Sequence, residues 1–114
     1  MIIYKQGEII LVPFPYSEDL SQSKPRPVLV VSNTHLVVNE VICVQITSNV
    51  SRNEPNDVYL SENDALPPLP KKSVVRTHIV HSIDKSMILK KIAQINEDKL
   101  VRVLENLHII LEKD

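Results

Sequence analysis

Apolar and polar positions alternate with the short period of strands along most of this chain, and change to a helical period only near the C-terminus. Residues 9–13, Ile-Ile-Leu-Val-Pro, are apolar throughout, the pattern of a strand covered on both faces. Pro13-Phe14-Pro15 then interrupts it, because two of these three residues lack a backbone donor. Residues 16–23 are polar and read as a loop long enough to be a functional candidate. A second strand is expected over 27–32, ended by Asn33-Thr34-His35. In a third, over 40–48, Ile42, Val44 and Ile46 share one face and Val41, Cys43, Gln45 and Thr47 the other. After a polar loop at 49–56, a short strand is expected at 57–60. Ser61 and the acids behind it suit one helical turn before Pro67-Pro68 stops it.

Residues 73–83 form the longest strand candidate, rich in β-branched side chains, with Val74, Arg76, His78 and Val80 on one face. Asp84-Lys85-Ser86 makes a turn. Residues 87–95 suit one more strand, although their pattern also admits a helix. Asn96 is a helix cap followed by Glu97 and Asp98, and Leu100, Val103, Leu104, Leu107, Ile110 and Leu111 recur at helical spacing. The pattern predicts a mainly β fold, five or six short strands in a small curled sheet, with a C-terminal helix packed on it.

At 114 residues the chain is expected to form a single domain spanning 1–114. Hydrophobic residues at 43% and charged residues at 24% are ordinary for a globular protein. A formal net charge of −1 argues against binding a polyanion through bulk field, so any such contact must be local. The only cysteine, Cys43, lies in an apolar run, which removes an internal disulfide and a paired-cysteine metal site and suggests a reducing cytoplasm. The N-terminus carries no long apolar run, so neither export nor membrane insertion is expected. With only four aromatic residues, an extended stacking platform for single strands is not expected either.

The most distinctive chemistry lies in Lys24-Pro25-Arg26-Pro27. Each proline pushes the residue before it into extended geometry, and alternation then sends both cations to one side. A stiffened pair of cations suits an anion, and RNA phosphate is the working expectation. Arginine can grip two phosphate oxygens at once and stays charged at any working pH. The spacing is equally compatible with Arg26 capping a surface carboxylate such as Glu18, Asp19 or Glu40, and Lys24 with an ordinary solvated lysine. Thr47, at the end of the third strand, can offer a hydroxyl to a phosphoryl oxygen, with Gln45 on its face and Ser48 adjacent. The plainer alternative is a strand threonine before a Ser48-Asn49 turn. Arg76 is a second cation candidate, and Ser73 after Lys71-Lys72 suggests an anion contact. The four histidines show no metal-ligand spacing, and one glycine cannot build a phosphate loop.

Three blocks together, Gly7 to Pro15, Arg26-Pro27-Val28-Leu29-Val30 and Ile46-Thr47-Ser48, resemble the MazF/PemK family of toxins from toxin–antitoxin systems. The likeness continues through Lys72 to Arg76, Ile83-Asp84, Lys90-Lys91-Ile92 and the helix after Asn96, and so covers nearly the whole chain. It implies an SH3-like small barrel of the CcdB/MazF type with a C-terminal helix, and a cytoplasmic homodimer neutralised by a cognate antitoxin. It also implies a metal-independent endoribonuclease that needs no cofactor and cuts single-stranded mRNA at short sequences through attack by the 2′-hydroxyl. The family's arginine before proline falls on Arg26 and its strand-end threonine on Thr47, as the catalytic pair. Lys24, Gln45, Ser48, Ser73 and Arg76 are then the expected RNA contacts. Two departures stand out: Tyr16-Ser17-Glu18 replaces a common phenylalanine, threonine and aspartate, and Ala93 stands where glycine is frequent. The competing readings are a non-catalytic CcdB-like gyrase-binding toxin and a degenerate module that only binds its antitoxin.

Overall fold

In the computed structural model, which describes residues 2–14 and 24–114, seven strands make one antiparallel sheet and a single α-helix follows them. The strands are β1 (Glu8–Phe14), β2 (Lys24–Val30), β3 (Glu40–Thr47), β4 (Val58–Leu60), β5 (Ala65–Leu66), β6 (Ser73–Asp84) and β7 (Lys90–Ile95). The helix α1 spans Glu97–Leu111, and the sheet order is β4-β6-β3-β2-β1-β7-β5. The expected loop at 16–23 lies outside the described residues.

The sheet curls because its inner face is one apolar cluster fed by every strand. Ile9, Leu29, Val44, Ile46, Val58, Leu60, Ala65, Val75 and Ile95 come together there, closed by Leu100 and Val103 of α1. The two edge strands, β4 and β5, are separated by only residues 61–64, so their facing ends are less than about 20 Å apart. On the outer face Ile10, Val12, Val28, Val30, Val41, Cys43 and Ile83 form a second buried cluster, with Tyr4 and Ile88 packed against it. The first strand is therefore apolar on both faces for the reason its sequence suggests. Burial pushes the Cys43 thiol up to about 12, which leaves it un-ionised at neutral pH.

Several elements differ from the sequence pattern, each through a long-range pairing. The second strand begins at Lys24, because residues 24–27 pair with β1: Arg26 opposes Val12 and Pro27 opposes Leu11. Only Val28, Leu29 and Val30 continue the ladder to β3. The expected helical turn after Ser61 is a 3-10 turn, Glu62–Asp64, and Ala65–Leu66 then joins β7 as a strand. Residues 85–87 form another 3-10 turn, which delays the last strand to Lys90 and resolves its pattern as strand.

The long strand β6 changes register against β3. Glu40 to Val44 pair with Asp84 to Val80, but Gln45 pairs with Arg76, so residues 77–79 bulge out of the ladder. Directly opposed residues share a face. Val74 and Arg76 therefore lie on the side of Thr47 and Gln45, whereas Val80 falls beside Val44, and the single face drawn from alternation does not exist.

Asn96 caps α1 as expected, its side chain accepting from Lys99 N at 2.9 Å. Its amide also donates to Asp64 Oδ1 at 2.9 Å, and its backbone N–H to Asp64 O at 2.8 Å. Partial burial works against the Asp64 charge, but hydrogen bonds from Ser61 and Asn96 prevail and hold its carboxyl below the usual value. The apolar stripe ends earlier than its spacing implies: Leu104 and Leu107 still pack on the core, while Ile110 and Leu111 are exposed. The last turn of the helix overhangs the sheet.

Gly7 is required by its backbone. Its φ is +92°, and an added Cβ would stand 2.6 Å from Gln94 Nε2 and 3.0 Å from Leu100 Cδ2. Its N–H donates to Val30 O at 2.8 Å, and its carbonyl accepts from Ile95 N at 2.9 Å, so the residue ties β1 to both neighbours. Gly7→Ala is expected to lower stability by about 1–3 kcal/mol, read from the urea midpoint at unchanged slope.

Candidate nucleic-acid interface

The interface follows from the parting of β2 and β3. Beyond the Val28–Gln45 pair the two strands are no longer bonded, and the part of β2 that diverges contains Pro25 and Pro27, which have no N–H to offer β3. A hollow of about 410 Å³ opens there. Arg26 and Pro27 line its β2 wall, Gln45, Ile46, Thr47 and Ser48 its β3 wall, and Leu69, Pro70, Lys71 and Ser73 the far rim. Leu11 and Ile92 complete the apolar part.

Arg26 is exposed and presents its guanidinium from a strand position fixed by Pro25 and Pro27. Thr47 is half-buried. Its Oγ1 accepts from Asn49 N at 3.1 Å. A hydroxyl has one proton and two acceptor sites, so this bond leaves the proton available to a group in the hollow. Ser73 is nearly buried, and its Oγ donates to Lys71 O at 3.1 Å, which shapes the rim under the Lys71 ammonium. Lys71 itself is exposed.

The expected RNA contacts do not all meet. Gln45, Ser48 and Ser73 line the hollow with Arg26 and Thr47. Lys24 is exposed on β2 opposite Phe14, two residues beyond Arg26, and is not part of the lining. Arg76 is withdrawn from the surface. Its guanidinium is ion-paired with Asp57, with side-chain exposures of 5% and 2%, and it also donates to Asn49 O at 3.2 Å. Asp57 Oδ2 accepts in addition from Glu54 N at 2.8 Å. Arg76 thus clamps residues 49–57, including the Asn49 whose N–H orients Thr47. It supports the site from behind and does not present a charge to it.

Asp57, which holds Arg76, is a neighbour of the hollow's β3 wall that the sequence pattern did not single out. The available signal was electrostatic: an arginine in an otherwise apolar strand, Val74-Val75-Arg76-Thr77, demands an acid if it is buried. Lys71 was visible in the sequence as part of the basic pair ahead of Ser73. Among the described residues, no three His, Cys, Asp or Glu side chains gather as metal ligands, and no helix is long and apolar enough to cross a membrane.

The fold matches that of solved toxin structures. MazF of Deinococcus radiodurans aligns with a TM-score of 0.77 at 22% identity, covering 99% of this chain and 100% of that one. A mycobacterial endoribonuclease in complex with its cognate antitoxin aligns at 0.76 and 17% identity, covering 98% of each chain. The MazE–MazF complex of Deinococcus radiodurans (Form-II) gives 0.76 at 20% identity, with full coverage of both chains. A comparison with curated proteins found no match. The class defined is thus a small curled-sheet barrel of the MazF type, a seven-stranded antiparallel sheet closed by a C-terminal helix. Residues 5–111 match the family of PemK-like, MazF-like toxins of type II toxin–antitoxin systems, and the chain belongs to that family.

Proposed function

We propose that this protein is a metal-independent endoribonuclease that cuts single-stranded mRNA at short sequences by attack of the neighbouring 2′-hydroxyl, and that it is held in check by a cognate antitoxin. The observation that carries this reading is the pairing of Arg26 and Thr47 on opposite walls of one open hollow, with Gln45, Ser48 and Ser73 around them. In such a cleavage the 2′-hydroxyl gives up its proton to a base and its oxygen bonds to phosphorus, the bond from phosphorus to the 5′-oxygen breaks as that oxygen takes a proton from an acid, and extra negative charge develops on the non-bridging oxygens. On this reading Arg26 neutralises that charge and Thr47 donates to the same phosphoryl group, since the bond from Asn49 N occupies one lone pair of its oxygen and leaves its proton to give. An arginine side chain is a poor base, and on this reading it acts as a fixed charge.

Family membership supports an antitoxin partner, and an acidic segment of that partner complements Arg26 and Lys71 at the hollow. A homodimer in the cytoplasm, as expected from the family resemblance, belongs to the same reading. The testing experiment is RNA cleavage in excess chelator. Purified protein is expected to cut single-stranded RNA there, to leave cyclic phosphate or 3′-phosphate ends, and to spare DNA of the same sequence. Intact RNA, or cuts that appear only when a divalent metal is added, would overturn the proposal. The competing gyrase-binding and antitoxin-only readings both lead to intact RNA in that assay.

A further inference from the structure

A second hollow, of about 300 Å³, lies beside the first, between Val50, Tyr59, Leu60, Ser61 and Lys72, and Ser73 lines both. Tyr59 is the middle residue of edge strand β4. Its neighbours Val58 and Leu60 turn into the core, at 1% and 2% exposure, while Tyr59 itself is 44% exposed. Of the two tyrosines whose side chains are described, it is the exposed one. The registers place Thr47, Val74 and Tyr59 in a single row across β3, β6 and β4. Opposed residues share a face, and two strand spacings separate the tyrosine from the threonine by about 10 Å along that row.

We infer that this hollow is a base-stacking subsite for a nucleotide flanking the scissile phosphate, with Tyr59 as its platform and Lys72 as the contact to that nucleotide's own phosphate. The occupant's identity rests on the nuclease reading. Two features favour a nucleotide over an apolar protein side chain. The hollow adjoins the site assigned to the phosphodiester, with Ser73 lining both. It also offers a flat ring and the exposed Val50 next to an exposed cation, which match the two parts of a nucleotide, a planar base and an anionic phosphate. Stacking tolerates any base, because every base has a π-face, so the subsite adds affinity and sets the strand's path without reading sequence.

The test is equilibrium binding of a fluorescein-labelled, random-sequence single-stranded DNA 12-mer, which lacks the attacking hydroxyl and so reports binding whether or not the protein cuts RNA. Tyr59→Ala is expected to weaken binding about tenfold, the scale of one lost stacking contact, and Tyr59→Phe by less than about twofold. A 12-mer of abasic sugars is expected to bind the wild type and Tyr59→Ala alike. Thermal melting of both variants checks that the fold is kept. Equal binding of the random 12-mer by Tyr59→Ala and wild type overturns the inference, as does weakened binding of an acidic antitoxin peptide alone. Tyr59-dependent binding by a wild type that cuts no RNA would leave the subsite standing and remove the nuclease reading.

Discussion

Arg26→Ala is expected to lower the rate constant of RNA cleavage at saturating substrate by at least about a hundredfold, the usual effect of deleting one preorganised donor aimed at developing charge. The fold is expected to survive, because the side chain is exposed on the part of β2 that has left the β3 ladder and its backbone remains paired with Val12. Arg26→Lys keeps the charge but gives up the two-pronged grip on adjacent oxygens, so its rate is expected to fall between the two. The measurement is single-turnover cleavage of a labelled RNA in chelator, alongside circular dichroism and melting of each variant. A folded Arg26→Ala protein that cuts at the wild-type rate would remove Arg26 from the mechanism.

The second large effect concerns stability. Asp57→Ala strips the counter-charge from a guanidinium that is 5% exposed, and also an acceptor from Glu54 N–H. Removing one partner of a buried pair leaves an uncompensated charge and costs about 3–5 kcal/mol. For a chain of this size that corresponds to a fall in Tm of more than about 10 °C. The combined replacement Asp57→Leu with Arg76→Met is expected to recover much of the loss, because neither charge then remains to be desolvated. Thermal unfolding of the single and double variants checks both statements. If Asp57→Ala melts within a few degrees of wild type, the pair does not hold residues 49–57 in place. The double variant carries a further consequence. It is expected to fold yet cut RNA more slowly than wild type, since the Arg76 bond to Asn49 O, which steadies the donor to Thr47, is gone.

What the sequence revealed and what it hid divide along the range of the interactions. Residues 9–13 announced a strand buried on both sides because burial is written in each side chain, and Ile10 and Val12 against Ile9 indeed fall in opposite clusters. Asn96 announced a helix start because capping is local, and the bond to Lys99 N spans three residues. Arg26 and Thr47, paired through the family resemblance, do line one hollow, whereas their residue types alone left a surface cap and an ordinary strand threonine open. Strand pairing partners were not legible. Lys24 to Pro27 were legible as extended through their prolines but joined a strand because β1 supplied partners, and Ala65 and Leu66 because β7 did. The bulge at residues 77–79 leaves no mark in the sequence of the long strand, yet it decides that Val80 falls beside Val44 and not on the face of Val74 and Arg76. The stripe of α1 overshot at Ile110 and Leu111 because a helical period says which side is apolar, not where the sheet beneath it stops.

An open sheet of seven strands has two rims, and a rim is ordinarily a template on which another chain can add a strand or a fibril can grow. Here the rims are three residues at β4 and two at β5. Neither is long enough to seed a ladder, and Pro67 and Pro68 follow directly on the shorter one. Because β4 covers only Ser73 to Val75 of the twelve-residue β6, a further strand would find its longest template on β6 past Val75 and not at either short rim.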